Sequence, residues 1–141
     1  MLVLRTAKPE ETGWINEQYA RAGFIPSNAR DEVVIAELDG VRAGIGRLVA
    51  AGDHACELGG MYVLDAFRGA GIARAIVEEL KRRAAGRDVY CIPFADLEAF
   101  YASTGFRRID ADGVPEKIEE KLQWCAREID RAVILMKLSQ T

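Results

Sequence analysis

Residues 63–73 read Val-Leu-Asp-Ala-Phe-Arg-Gly-Ala-Gly-Ile-Ala, and they join the end of an apolar segment to a glycine-rich turn. After the turn, apolar side chains recur every four residues from Ile72 to Ala84, and charged side chains occupy positions between them. This spacing predicts an amphipathic helix over 70–85 with one buried face. The stretch is therefore predicted to contain a strand, a turn and the start of a helix.

The turn has the features of a phosphate-binding site. The first backbone N–H groups of a helix lack intrahelical partners and carry its partial positive charge, so an anion can accept their hydrogen bonds. Gly69 and Gly71 lack a β-carbon and allow close approach to the main chain, and Arg68 adds a cation. Arg74 stands where a dinucleotide-binding fingerprint needs a small residue, and the Gly-Lys-Ser/Thr end of a P-loop is absent. A turn that only reverses the chain remains the alternative.

The composition is typical of a soluble globular protein. Of the 141 residues, 50% are hydrophobic and 29% charged, so one compact domain over 1–141 is expected. A net charge of −3 gives no basic surface for nucleic acid. The sequence contains neither a signal-peptide pattern nor a run of about 18 apolar residues, which predicts a cytoplasmic protein without membrane contact. Cys56, Cys91 and Cys125 lie far apart in the sequence and predict buried thiols, not a disulfide framework or a metal site.

Apolar patterning predicts an α/β (α+β) fold with one mixed, mostly antiparallel sheet of about seven strands flanked by helices. Asp39-Gly40 is a hairpin signal, so strands two to four are expected to form an antiparallel meander. A crossover helix makes strands four and five parallel. Gly59-Gly60 in the fourth strand predicts a bulge or a close backbone approach, although a simple kink is the alternative. The predicted strands span 2–6, 33–38, 41–50, 55–64, 89–92, 106–109 and 132–138, and the predicted helices span 9–22, 70–85, 96–103 and 115–127.

Two motifs resemble those of the GNAT (GCN5-related) N-acetyltransferase superfamily. The spacing Arg68-x-x-Gly71-x-Ala73 after an apolar strand is similar to its acyl-CoA pyrophosphate motif. Residues 100–106, Phe-Tyr-Ala-Ser-Thr-Gly-Phe, are similar to its helix-four signature, and the element order resembles that of the superfamily over essentially the whole chain. The resemblance implies the GNAT fold, in which strands four and five splay apart where the pantetheine arm of acyl-CoA inserts.

The resemblance also implies which residues bind the donor, acetyl-CoA, without a metal. Backbone groups of Met61, Tyr62 and Val63 on strand four would bind the pantetheine and the acyl carbonyl. Phe94 stands where relatives often have an asparagine that binds pantetheine, so that contact is not expected. The residues implied to hold the pyrophosphate are Arg68, Gly69, Ala70, Gly71, Ile72 and Ala73.

Two side chains are implied as catalytic. Tyr101 matches the tyrosine that many relatives use as a general acid toward the coenzyme sulfur, although an aromatic residue on an amphipathic helix can also serve only in packing. The N–H of Val63 would stabilise the oxyanion. Glu57, six residues before Val63, has the offset of the general base in the superfamily's histone acetyltransferases. Many relatives deprotonate the amine through water and backbone carbonyls instead, so both routes stay open. Direct transfer requires no nucleophile at Cys91.

The acceptor site of the superfamily is formed largely by the first helix, the following loop and later strands. Aromatic and small polar residues there are the implied substrate contacts, although they also suit a core; they are Trp14, Tyr19, Phe24, Ser27 and Asn28. The resemblance implies transfer of an acetyl group to a primary amine of a small molecule or peptide by direct attack in a ternary complex. The implied partners are that amine and, in a homodimer, a second copy of the chain. The alternatives are a non-catalytic acyl-CoA-binding module and an acyltransferase that uses a larger acyl-CoA.

Overall fold

Seven strands form one mixed sheet in the computed structural model, which describes residues 1–139. A short 3-10 turn precedes each of the first and third helices. The strands are β1 (Leu2–Thr6), β2 (Glu32–Leu38), β3 (Val41–Ala50), β4 (Ala55–Val63), β5 (Asp88–Cys91), β6 (Phe106–Arg108) and β7 (Met136–Leu138), and the helices are α1 (Thr12–Ala22), α2 (Ile72–Ala84), α3 (Glu98–Ser103) and α4 (Glu116–Glu128).

The strands lie in the order β1-β2-β3-β4-β5-β7-β6. Neighbouring strands are antiparallel except β4 and β5, which are parallel as predicted. Asp39 and Gly40 both have positive φ, 52° and 82°, as a two-residue hairpin between β2 and β3 requires. The predicted mixed, mostly antiparallel sheet is confirmed.

A bulge and a gap interrupt the sheet along β4. Ile45 of β3 pairs with Tyr62, whereas Arg47 pairs with Gly59, so β4 contains one extra residue between these pairs. Gly60 lies in this bulge with a φ of 59°. Pairing between β4 and β5 ends at Glu57, beyond which the two strands separate. The predicted bulge at Gly59-Gly60 and the predicted splay of strands four and five are both confirmed.

Helices cover both faces of the sheet. The larger core lies between the sheet and α2 and α3, and it includes Ile76 and Tyr101. On the opposite face, α1 packs through Tyr19 against Ile45, and α4 packs through Ile118 against Tyr90. Side chains that alternate along β3 and β4 therefore face α2 and α3 on one side, and α1 and α4 on the other.

The last strand is shorter than the predicted span of 132–138. Val133 forms an isolated bridge with Phe94, and the N–H of Ile134 donates to the carbonyl of Pro93. Pro93 has no N–H to donate in return, which interrupts the regular ladder before Met136.

Residues 140 and 141, the end of the predicted domain, lie outside the described residues. Within residues 1–139, every helix is too short or too polar to cross a bilayer.

Candidate active site

The glycine-rich turn leaves an open approach to the N-terminus of α2. Gly69 and Gly71 have φ values of 83° and 77°, a region that other residues adopt only with strain. A β-carbon added at either glycine would meet no atom within 4 Å. The first intrahelical hydrogen bond runs from the N–H of Ala75 to the carbonyl of Gly71, so the N–H groups of residues 72–74 point out of the helix end. This geometry fits a pyrophosphate.

Arg68 lies beside the turn and folds back toward β4. Its Nη2 lies 3.0 Å from Asp65 Oδ1, and its Nε donates to the carbonyl of Val63 at 3.2 Å. Both side chains of the ion pair are exposed, and exposed pairs contribute little stability. The guanidinium can therefore turn toward a phosphate at low cost.

The backbone of Val63 faces the gap between β4 and β5. The N–H of Leu64 donates to the carbonyl of Ala43 on β3 at 2.9 Å. Because successive residues of a strand direct their backbone groups to opposite sides, the N–H and carbonyl of Val63 point away from β3. The hydrogen bond from Arg68 to the Val63 carbonyl agrees with this direction. A ligand in the gap can thus reach the Val63 N–H.

A cleft of about 940 Å³ opens at this gap. Met61 and Tyr62 of β4 line it. Tyr101 lines it from α3, which packs on one face of the sheet. Glu57 lines it as well, and its side chain lies on the other face, where α4 packs. The gap therefore joins the two faces of the sheet in one cavity.

Tyr101 is a buried phenol among the residues that line this cleft. The residue is 6% exposed, and its ring packs edge-on against Phe100 and Phe106 at centroid distances of 5.0 and 5.9 Å. Burial raises the pKa of Tyr101 above its ordinary value, with a smaller contribution from Cys91. Burial likewise raises the pKa of the Cys91 thiol, which also lines the cleft. At neutral pH, Tyr101 is a proton donor and Cys91 a poor nucleophile.

Glu57 forms an ion pair across the cleft with Lys121 of α4. Lys121 Nζ donates to both carboxylate oxygens, at 3.2 and 3.1 Å, and the Glu57 side chain is 12% exposed. A β-carbon at Gly59 would lie 3.3 Å from Glu57 Oε2. The carboxylate therefore lies over the glycine pair at the start of the bulge.

Two of the five predicted acceptor residues lie at or directly behind the cleft. Phe24 lines it. Tyr19 is fully buried behind β4, and its hydroxyl would lie 2.6 Å from a β-carbon added at Gly60.

The other three predicted acceptor residues lie away from the cleft. Trp14 packs beneath the guanidinium of Arg42, 4.1 Å from the ring centroid. The Ser27 hydroxyl and the Asn28 N–H donate to Asp31 Oδ2 at 2.6 and 3.2 Å, so they stabilise the loop after α1.

The cleft residues that sequence reasoning missed include Arg47, Lys121 and Trp124. Lys121 and Trp124 flank the predicted apolar stripe of α4, and only the packing of that helix brings Lys121 to Glu57 and Trp124 to the cleft. For Arg47 a signal was present, because it is a charged residue inside the apolar strand Val41–Ala50.

Phe94 lines the cleft, with the guanidinium of Arg131 at 3.6 Å from its ring centroid. At the position where relatives often have an asparagine, this chain therefore has an aromatic ring with a cation stacked on it. Among residues 1–139, no group of three His, Cys, Asp or Glu side chains is arranged to hold a metal ion.

A family model described as an acetyltransferase (GNAT) domain matches residues 29–108. No curated protein matches the sequence. Among solved structures, the chain is similar to Rv2747 from Mycobacterium tuberculosis, solved in complex with CoA and a second ligand, at 20% identity and a TM-score of 0.77, with 99% of both chains covered.

Two further structures share the fold at 16% identity. The ribosomal-protein-S18-alanine N-acetyltransferase from Escherichia coli gives a TM-score of 0.71, covering 100% of this chain and 96% of that one. The N-acetylglutamate synthase from Neisseria gonorrhoeae, complexed with coenzyme A and L-arginine, gives a TM-score of 0.73. There the match covers 99% of this chain but 34% of the synthase, so this chain spans about a third of that protein.

Proposed function

The chain belongs to the GNAT acetyltransferase family, and from this we propose that it transfers an acetyl group from acetyl-CoA to a primary amine of a small molecule or peptide. The observation that carries the proposal is the gap between β4 and β5, with the glycine-rich turn beyond the end of β4 and Tyr101 in its wall. A binding surface for phosphate alone would not need a buried proton donor in the same cleft.

The donor fits the residues around the gap. The N–H groups at the start of α2 and the side chain of Arg68 would hold the pyrophosphate, and Gly69 and Gly71 leave room for it. The backbone of residues 61–63 would hydrogen-bond to the pantetheine arm as a further strand would. Bound acetyl-CoA supplies an activated thioester.

Each chemical demand of the transfer has a candidate residue. The Val63 N–H would donate to the acetyl carbonyl oxygen as it gains negative charge, an interaction worth about 10²–10³ in rate. Glu57, directly or through water, would accept the proton that the amine loses when its nitrogen bonds to the acetyl carbon. Tyr101 would give its proton to the sulfur as the carbon–sulfur bond breaks, which contributes about 10²–10⁴. Both substrates would be bound together, because no covalent enzyme intermediate is required.

The remaining features of the proposal follow from the sequence. We propose one domain over residues 1–141 that acts in the cytoplasm on a diffusible or peptide amine. A homodimer stays a prediction.

The test is release of free thiol from acetyl-CoA in the presence of amines, polyamines, amino acids and peptides, with propionyl-CoA and succinyl-CoA as parallel donors. We expect release that depends on an acceptor and is fastest with acetyl-CoA. Calorimetry with CoA measures binding separately. Binding of CoA without thiol release from any donor would instead identify an acyl-CoA-binding module.

A further inference from the structure

Arg47 is a buried cation that is incompletely paired. It is 5% exposed and lines the cleft from β3. Its Nη1 has no hydrogen-bond partner within residues 1–139, and the carboxylate oxygen Oδ2 of Asp31 lies 3.9 Å away, beyond hydrogen-bond distance. A buried charge is costly unless it is both paired and hydrogen-bonded.

Asp31 is engaged by other groups. Its Oδ2 already accepts hydrogen bonds from the Ser27 hydroxyl and the Asn28 N–H. These bonds keep the carboxylate in the loop after α1, so it does not close on the guanidinium.

A second buried donor lies next to Arg47. The Tyr19 hydroxyl is fully buried and has no hydrogen-bond partner among the described residues. The guanidinium lies over the Tyr19 ring at 4.5 Å. A β-carbon at Gly60 would lie 2.6 Å from the Tyr19 hydroxyl and 2.9 Å from Arg47 Nε. Both donors therefore converge on the bulge, where the missing side chain leaves them space.

The distance between Arg47 and Glu57 limits the size of a ligand that could contact both side chains in the cleft. Arg47 pairs with Gly59, and Glu57 lies two residues earlier on the same face of β4. Such diagonal neighbours are about 7–8 Å apart. A small molecule can therefore place an anionic group at Arg47 while its amine lies near Glu57.

We propose that the acceptor is an amino acid and that Arg47 binds its free carboxylate, stacked on Tyr19. The inference rests on the proposed acetyl transfer for the identity of the amine. Arg47 is suited to this role because guanidinium and carboxylate form paired, charge-assisted hydrogen bonds.

The first experiment compares the twenty common L-amino acids with their primary amides as acceptors in the thiol-release assay. We expect the free acids to exceed the matching amides by about 100-fold in kcat/KM, because the amide leaves the buried guanidinium without a hydrogen-bonded anion. Arg47→Met should remove this preference, and Arg47→Lys should restore part of it, with CoA affinity unchanged in both. Arg42→Met, a change to another arginine of β3 outside the cleft, is the control and should keep the preference.

The second experiment measures binding without turnover. N-acetyl-L-amino acids and their amides are titrated into the wild-type protein and into Arg47→Lys, each saturated with CoA. The carboxylate site is supported if the acids bind more tightly than the amides and Arg47→Lys weakens the binding of the acids by about 10-fold. This support holds even if no acceptor is turned over and the proposed transfer fails. Equal turnover of acids and amides would overturn the inference and leave the transfer intact. Absence of both acid-selective turnover and acid-selective binding would also overturn it.

Discussion

Tyr101 packs in the core and is also one of the residues that line the cleft. Since burial raises its pKa, the phenol is protonated at neutral pH, as a general acid toward the thiolate must be. We expect Tyr101→Phe to lower kcat by about 100-fold or more, because the departing thiolate loses its proton donor, while the KM for acetyl-CoA changes little. Steady-state thiol release measures both.

The control is Tyr90→Phe. Tyr90 is also buried, but it packs against α4 rather than lining the cleft. The Tyr90→Phe variant should retain the wild-type kcat. An unchanged kcat in Tyr101→Phe would leave Tyr101 with a packing role only.

Arg68 is the one side chain of the turn that can pair with a phosphate. We expect Arg68→Ala to raise the KM for acetyl-CoA by about 10-fold, the effect of losing one hydrogen bond to a charged group. Acetyl-pantetheine lacks the pyrophosphate, so its KM should be the same for wild type and variant. An equal increase for both donors would show that Arg68 acts through β4, where it contacts the Val63 carbonyl.

The residues of the turn could be predicted from sequence because their function is local. Gly69 and Gly71 adopt backbone angles that glycine favours, and the helix that follows presents its N–H groups wherever it packs. Arg47 and Lys121 could not, because their proximity to the cleft depends on strand register and on the packing of α4. The predicted acceptor residues Ser27 and Asn28 are polar in sequence, yet they bind Asp31 instead of facing the cleft.

At the scale of elements, the β4 bulge depends on Gly60. Its φ of 59° and the close atoms of Tyr19 and Arg47 leave no room for a β-carbon. We expect Gly60→Ala to lower the free energy of unfolding by about 2–3 kcal/mol, measured by urea denaturation. In Gly59→Ala the added carbon meets only the end of the flexible Glu57 side chain, so the loss should be below about 1 kcal/mol. Equal losses in the two variants would contradict this explanation of the bulge.

An ion pair joins β1 to the turn before α1. Arg5 donates to both oxygens of Glu11 at 2.7 and 2.9 Å, and the N–H of Lys8 donates to one of them. The Arg5 hydrogen bonds lower the pKa of Glu11 from 4.5 to about 2. A carboxyl with a lowered pKa in the folded state stabilises the protein above pH 4.5, and this contribution is lost as the pH falls toward 2.

We therefore expect Glu11→Gln to cost about 2–3 kcal/mol of unfolding free energy at pH 7 and almost nothing near pH 2. Urea denaturation across this pH range measures the difference. Glu17→Gln removes an exposed carboxylate paired with Arg21 and should cost less than about 0.5 kcal/mol at every pH. A cost for Glu11→Gln that is independent of pH would mean that the side chain acts through packing.

Element types followed from the sequence more closely than their ends did. Hydrophobic periodicity and the Asp39-Gly40 turn predicted the meander, because both are local signals. The start of the last strand, at Met136 instead of residue 132, depends on Pro93. Pro93 lies on the neighbouring segment and has no N–H to donate to this strand. The sequence of the strand itself contains no sign of that missing donor.

For the whole molecule, the gap in the sheet brings together groups that a continuous sheet would separate. Tyr101 belongs to the face covered by α2 and α3, whereas Glu57, Arg47 and Lys121 belong to the face covered by α1 and α4. Donor and acceptor could then enter from different directions and meet where β4 and β5 part. Loss of sheet hydrogen bonds at the gap is the structural cost, and a bound pantetheine arm would replace them.

Hydrogen exchange tests this arrangement across the chain. We expect CoA to slow exchange in two segments, residues 58–63 and residues 69–74, and to leave β1 unchanged, because β1 lies at the far edge of the sheet. ADP carries the pyrophosphate without the pantetheine arm, so it should protect residues 69–74 alone. If CoA and ADP protect the same single segment, the arm does not pair with β4, and the gap has another role than holding the acyl donor.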